Sequence, residues 1–224
     1  MEILYRVHKG VYVNLTNRCS SACTFCLRQT MDHVGESHSL WLEREPTAQE
    51  VEDEFRKWDM SQFEEIVFCG FGEPTCALPV LLEVARWLKT WCSLPIRINT
   101  NGQGSLIAGH DISGELKDCI DVVSISLNDP DPQEYQKLVR SQFGDKAFPG
   151  MLDFAKKCVA QGIRVIMTTV DTTITHEEEA QCAKICQEIG ATYRIRPWEI
   201  KLWGTTNRRN DCPSDQEQMK TEVR

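Results

Sequence analysis

The sequence predicts an α/β domain whose strands pair in parallel as an open, partial (β/α)6 barrel. Three observations carry this. Six β-prone runs alternate with stretches of helical periodicity, an order that demands parallel pairing through right-handed crossovers. Six such units are too few to close the eight-stranded barrel. The length of 224 residues, with 41% hydrophobic and 26% charged residues, suits one substantial core without disordered linkers.

The elements read in order. Ile3–Val7 and Val11–Leu15 form a hairpin across His8-Lys9-Gly10, with Gly10 at a position wanting positive φ. The second run delivers Thr16-Asn17-Arg18-Cys19-Ser20-Ser21-Ala22-Cys23-Thr24-Phe25-Cys26. The chain then stays irregular and polar to Ser39, and so long a loop in a compact domain is more often functional than idle. Thr47 as N-cap with Glu50 closing a capping box predicts a helix to about Trp58. Glu65–Cys69 is a strand ending in Gly70-Phe71-Gly72-Glu73-Pro74-Thr75. Ala77–Trp91 is helical, Ile96–Asn99 is the next strand, and Thr100-Asn101-Gly102 is its turn. A weak helix over Ser105–Asp118, interrupted by Gly109 and Gly114, leads to strand Val122–Leu127. Asp131, Pro132 and Glu134 open a helix, and a second, from Gly150 to Gln161, closes on Gly162. Strand Arg164–Val170, a helix capped by Thr175 and Glu178 and running to Ile189, and strand Thr192–Arg196 complete the set. Residues 1–200 are the expected barrel domain, and 201–224 a C-terminal tail expected to be partly disordered.

Composition bounds the function. No apolar run approaches the ~18 residues that span a membrane, and the N-terminus lacks a signal-peptide layout, so the expected location is cytoplasmic. Eleven cysteines in such a chain are expected to be reduced. A net charge of -8 leaves nucleic-acid binding unsupported.

The chemistry concentrates in the cysteine loop. Cys19, Cys23 and Cys26 are separated by three residues and then two, and three neighbouring thiolates can hold three corners of an iron–sulfur cubane, leaving one iron open. A zinc knuckle completed by His33 or His38, or three buried core thiols, are the alternatives at this point. Gly70-Phe71-Gly72-Glu73-Pro74 is a tight turn that would offer backbone groups and a carboxylate to a ligand. Ser124, Ser126 and Asn128 alternate along one strand face and could meet a ligand or simply end a strand, and Arg194 and Arg196 share a face of the last strand and could pair with a ligand carboxylate or be surface charges. Asn99 and Asn101 flank Thr100 at a strand end and could hydrogen-bond a ligand, while Asn101-Gly102 is equally a common turn pair. Cys182 and Cys186, one helical turn apart, read as core thiols, as do Cys69, Cys92, Cys119 and Cys158.

The cysteine spacing, with Phe25 before the last thiol, resembles the signature of the radical S-adenosylmethionine (SAM) enzymes. The resemblance implies a [4Fe-4S] cluster on Cys19, Cys23 and Cys26, binding SAM and cleaving it to a 5'-deoxyadenosyl radical. It also implies an open partial barrel and a reducing partner such as flavodoxin or ferredoxin. Gly70 to Pro74 resembles the family's Gly-Gly-Glu-Pro motif, with Phe71 in place of a glycine, and the resemblance assigns Gly70, Phe71, Gly72, Glu73 and Pro74 to SAM. It implies that Ser126 and Asn128 meet the SAM ribose, and Asn99 and Arg196 are candidates for SAM or substrate. Tyr12–Cys19, Ser39–Leu42, Glu45–Thr47 and Cys69–Pro74 are most similar to the small TatD-associated radical SAM proteins, a likeness running to about Trp198. That implies a functional link to a TatD-type nuclease and no settled substrate; small glycyl-radical activases and deazapurine synthases are similar in size and core. The competing class is a noncatalytic iron–sulfur protein, an electron carrier or redox sensor, which has no need of an open iron beside a glycine pocket.

Overall fold

A computed structural model describes residues 1–197. The elements are β1 (Leu4–Val7), β2 (Gly10–Val13), α1 (Ala48–Phe55), β3 (Glu65–Phe68), α2 (Leu78–Lys89), β4 (Ile96–Thr100), α3 (Gly104–Ala108), α4 (Ser113–Leu116), β5 (Val122–Ser126), α5 (Pro132–Val139), α6 (Ala147–Ala160), β6 (Arg164–Val170), α7 (His176–Ile189) and β7 (Thr192–Arg196). The expected tail, 201–224, lies outside the described residues. The seven strands follow chain order across one sheet, with β1 and β7 at opposite edges, so the sheet is not closed into a barrel. β2 to β7 run parallel, the six predicted repeats, and β1 adds an antiparallel edge.

The capping signals act as read. Thr47 with Glu50 and Thr175 with Glu178 form reciprocal capping boxes, and Asp131 accepts from the backbone N–H groups of Gln133 and Glu134. Three local readings are corrected. The left-handed residue of the first hairpin is His8, at φ 51°, while Gly10 begins β2; a Cβ there would lie 2.9 Å from the Tyr12 ring. α6 begins at Ala147 rather than Gly150, because Pro149 is tolerated in a first turn and Gly150 leaves room for Leu106. The region from Ser105 is two short helices, with Gly109, at φ 76°, ending the first.

Alternation along the strands gives the sheet two unlike faces. Val11, Val13, Ile66, Phe68, Ile96, Ile98, Val123, Ile125, Val165 and Met167 pack into the main core with the helices. The opposite, helix-free face follows from the register. Tyr12, Val67, Arg97 and Val122 form one rung across β2 to β5. Asn99, Ser124, Ile166 and Thr192 form the next, and Ser126, Thr168 and Arg194 the one nearer the carboxyl ends. At the β1 side this face is covered by a small cluster of Tyr5, Leu40 and Phe71. Among the described residues no helix is long and apolar enough to cross a membrane.

Candidate functional site

The cysteine loop leaves the carboxyl end of β2 and is clamped at both ends. At its start the Arg18 guanidinium grips the Glu45 carboxylate through Nε at 2.6 Å and a terminal nitrogen at 2.9 Å, and the Thr16 hydroxyl donates to the same group. The Asn17 amide brackets Leu42, donating to its carbonyl at 2.7 Å and accepting from its N–H at 3.0 Å. Further on, the backbone N–H groups of Ala22 and Thr24 donate to the carbonyls of Val139 and Leu138 at the end of α5, and Gln142 N–H donates to the Ser20 carbonyl. The loop is thus a strap between β2 and α5.

Cys19, Cys23 and Cys26 are half-buried free thiols. Burial, and then the neighbouring Cys19 and Cys26, push the Cys23 thiol up to about 12. Burial also raises Cys19, against a backbone hydrogen bond from Ser21 that pulls it down. One loop carries all three, with Cys26 N–H donating to the Cys23 carbonyl at 3.2 Å, and a bound cation would hold such buried thiols as thiolates. Among the described residues no three His, Cys, Asp or Glu side chains converge tightly enough for a single metal ion. A cubane does not ask for such convergence, since each thiolate takes its own iron. Soft thiolates without competing nitrogen ligands fit an iron–sulfur cluster.

The glycine turn lies directly behind this loop. At Gly72 a Cβ would stand 2.2 Å from the Thr16 carbonyl oxygen and 2.6 Å from that of Arg18, and at Gly70 it would stand 2.1 Å from Asn14 Oδ1. The glycines therefore let β3's exit press against β2's exit. Glu73 N–H donates to the Arg18 carbonyl at 2.8 Å. The Glu73 side chain is buried and turned inward: Oε1 accepts from Thr75 N–H at 3.1 Å and from the Thr75 and Thr100 hydroxyls at 2.7 Å, and Oε2 accepts Asn101 N–H at 2.7 Å. Burial pushes this carboxyl up, and the four donors pull it back. Where the sequence suggested a carboxylate offered to a ligand, the structure ties it to Thr75 and to the end of β4. Pro74 opens the short 3-10 turn that follows. Phe71 is accommodated because its ring packs with Tyr5 and Leu40 and meets Trp41 edge-on at 5.3 Å, while its carbonyl accepts from Arg28 at 3.4 Å.

A buried polar network joins the two motifs. Asn101 Oδ1 accepts Gln103 N–H at 2.9 Å, which turns the Asn101 amide nitrogen toward the cysteine loop, 2.9 Å from Ser20 Oγ, 3.4 Å from Ser21 Oγ and 3.9 Å from Cys19 Sγ. Gln103, fully buried, accepts from the hydroxyls of Ser20 and Ser141 at 2.8 Å and donates to Tyr135 at 3.2 Å. Ser20, Ser21, Gln103, Tyr135 and Ser141 escaped sequence reasoning; a serine pair between two ligand cysteines was the available signal. Cys76 also went unweighed. Its carbonyl accepts from Arg18 of the loop at 2.6 Å, and burial, then Glu73 and Cys19, push its thiol up to about 11.

The remaining candidates line the helix-free face. Asn99 Oδ1 accepts from Arg97 at 2.6 Å, and Arg97 forks onto Glu65 at 3.0 and 2.5 Å. Ser126 pairs in register with Thr168. Asn128 takes left-handed backbone at φ 64°, and its Oδ1 is buried without a partner among the described residues. Such an orphaned acceptor at a strand end fits a ligand bearing hydroxyl or amino donors. Phe25 is half-buried and makes no ring contact among the described residues. Cys182 and Cys186 are buried, packed into the core away from the loop.

Three thiols on one loop at the carboxyl end of an open parallel sheet, beside a glycine turn, define an α/β protein of the partial-barrel class with a candidate iron–sulfur site. The chain belongs to the radical SAM superfamily, whose description matches residues 13–189. No curated protein sequence matches it. Among solved structures it is similar to Streptococcus suis SuiB bound to its precursor peptide SuiA, at 15% identity and a TM-score of 0.62, covering 89% of this chain and 42% of that one. It is similar too to a radical SAM methyltransferase from Sphaerobacter thermophilus, at 18% identity and a TM-score of 0.59, over 87% of this chain and 57% of that one. A third likeness is to anSMEcpe with bound AdoMet, at 17% identity and a TM-score of 0.59, over 83% and 50% of the two chains. The chain spans about half the length of these structural relatives, or less.

Proposed function

We propose that this chain is a radical SAM enzyme. Cys19, Cys23 and Cys26 would hold a [4Fe-4S] cluster, and the backbone of Gly70–Pro74 with Asn99, Ser126, Asn128 and Arg196 would receive SAM or the substrate. When bound, these groups supply reductive cleavage of SAM to methionine and a 5'-deoxyadenosyl radical that takes a hydrogen atom from a substrate not yet identified. The protein's own part is positioning. Glu73 and Asn101 lock the cysteine loop, the glycine turn and β4 into one unit, so ligands of all three keep a fixed spacing. That locking is the observation that carries the reading. A simple electron carrier or redox sensor gains nothing from a polar helix-free face at the strand ends beside the thiol loop.

The finer likeness, to the TatD-associated members, rests on the stretches Tyr12–Cys19, Ser39–Leu42, Glu45–Thr47 and Cys69–Pro74, as does a link to a TatD-type nuclease. A low-potential donor of the flavodoxin or ferredoxin kind would supply the electron.

Anaerobic reconstitution tests the proposal. The wild type should take up close to one cluster per chain and, with dithionite and SAM, release 5'-deoxyadenosine and methionine, measured by chromatography of the quenched mixture. Cys23→Ala should carry no intact cluster and release none, whereas Cys182→Ala should retain both. Cluster-replete, SAM-bound wild type that yields no cleavage with any competent reductant would leave the carrier or sensor reading in its place.

A further inference from the structure

We infer that the substrate carries an anionic group, a carboxylate or a phosphate, held by Arg194 and Arg196 on β7. This rests on the reading of the strand ends as the site and deepens it. The register sets Arg194 beside Thr168, which is itself beside Ser126, and sets Arg196 beside Val170. Both arginines therefore belong to the helix-free face that also presents Ser124 and Ser126. Tyr193, between them in parity, goes to the helix side, where its hydroxyl meets that of Thr169 at 2.7 Å.

The chain is acidic, at -8, and Arg18, Arg44, Arg56 and Arg97 each fork onto or bridge a carboxylate. Arg194 and Arg196 make no ion pair and no side-chain hydrogen bond among the described residues, and the Nε of Arg196 is buried with no acceptor. Arg140 and Arg164 also show no ion pair among the described residues, so what sets this pair apart is the buried Nε of Arg196. Asp171 meets Arg196 through its backbone N–H, which donates to the Arg196 carbonyl at 2.7 Å, and no carboxylate among the described residues pairs with either guanidinium. A buried guanidinium N–H without a partner is a standing demand for an acceptor, and two guanidinium forks on one strand face match the planar, bidentate geometry of a carboxylate or phosphate.

Position favours substrate over SAM. The thiol loop and the glycine turn follow β2 and β3, whereas β7 is the far edge, with β4, β5 and β6 between. Among the described residues nothing pairs with β7 on its outer side, so a ligand can approach the arginines from that edge while SAM reaches from Ser126 and Asn128 toward the thiol loop.

The test uses cluster-replete protein with SAM, titrated anaerobically at low ionic strength by calorimetry with inorganic phosphate in one arm and succinate in the other. The tighter probe identifies the anion class. Binding should weaken at least tenfold in the Arg194→Met/Arg196→Met double variant, and by less in Arg196→Lys, which keeps the charge and loses the fork. SAM affinity is measured on the same samples. Anion binding unchanged in the double variant, or no binding of either probe to the wild type, overturns the inference. A parallel tenfold loss of SAM affinity also overturns it, by assigning the pair to the SAM carboxylate, and leaves the radical SAM reading standing. Wild-type protein that binds an anion but no SAM would sink that reading instead.

Discussion

Asn101 occupies the corner where the cysteine loop, the glycine turn and β4 meet. Its N–H is held by Glu73, its Oδ1 by Gln103 N–H, and its amide nitrogen faces Ser20 and, at 3.9 Å, Cys19 Sγ. A donor aimed at a cluster ligand stabilises the more negative, reduced cluster and so raises its potential. Asn101→Leu should therefore lower the reduction potential of the reconstituted cluster, each tenfold shift in the redox equilibrium being about 59 mV for one electron. An EPR-monitored redox titration decides, and an unchanged potential would confine Asn101 to a structural role. The sequence made Asn101 legible only as a turn residue or a ligand candidate. Gln103 was not legible at all, because a buried amide that closes a network looks, in sequence, like any polar residue before a short helix. The three thiols were legible because their chemistry is local and their spacing is carried by one loop.

Elements were legible where a local rule decides them. Thr47 with Glu50 and Thr175 with Glu178 mark helix starts because the cap is satisfied within four residues. They were less legible where tertiary contact decides: Gly150 reads as a start, yet sits inside α6 because Leu106 occupies the space of its missing side chain. The glycine turn shows the same principle with greater consequence. A Cβ at Gly72 would collide with the carbonyl oxygens of Thr16 and Arg18, which are backbone and cannot rotate away. Gly72→Ala should destabilise the fold by about 1–3 kcal/mol or more, lowering the melting temperature and spreading the cysteine loop from β3. Gly114→Ala is the matched control. It lies within α4 with nothing within 4 Å of the added carbon, and should be neutral or stabilising by up to about 1 kcal/mol. Urea denaturation of both variants checks the pair, and equal midpoints would mean that the β2 and β3 exits are not packed as described.

At the scale of the molecule, alternation of strands and helices made the parallel sheet legible, and six repeats made it open. Which way a strand faced was not legible. Arg194 and Arg196 could be assigned to the helix-free face only through the register with β6, itself set by packing of Met167 and Val165 on the helices. The site is likewise a property of the whole sheet. Its thiol loop is tied to α5 by Ala22 and Thr24, its glycine turn follows β3, Glu73 reaches β4, and Asn128 follows β5. A ligand bridging cluster and strand ends must therefore stabilise all of these together. SAM at a hundredfold excess over its dissociation constant should stabilise cluster-replete protein by about 2.7 kcal/mol, a rise of roughly 5–10 °C in melting temperature for a chain of this size. The apo-protein and Cys23→Ala should show little of that rise, because the open iron supplies part of the binding site. Anaerobic scanning fluorimetry with and without SAM measures it. An equal rise without the cluster would mean that SAM binds the strand ends alone, and the coupling between thiol loop and sheet inferred from Asn101 and Glu73 would then have no role in SAM binding.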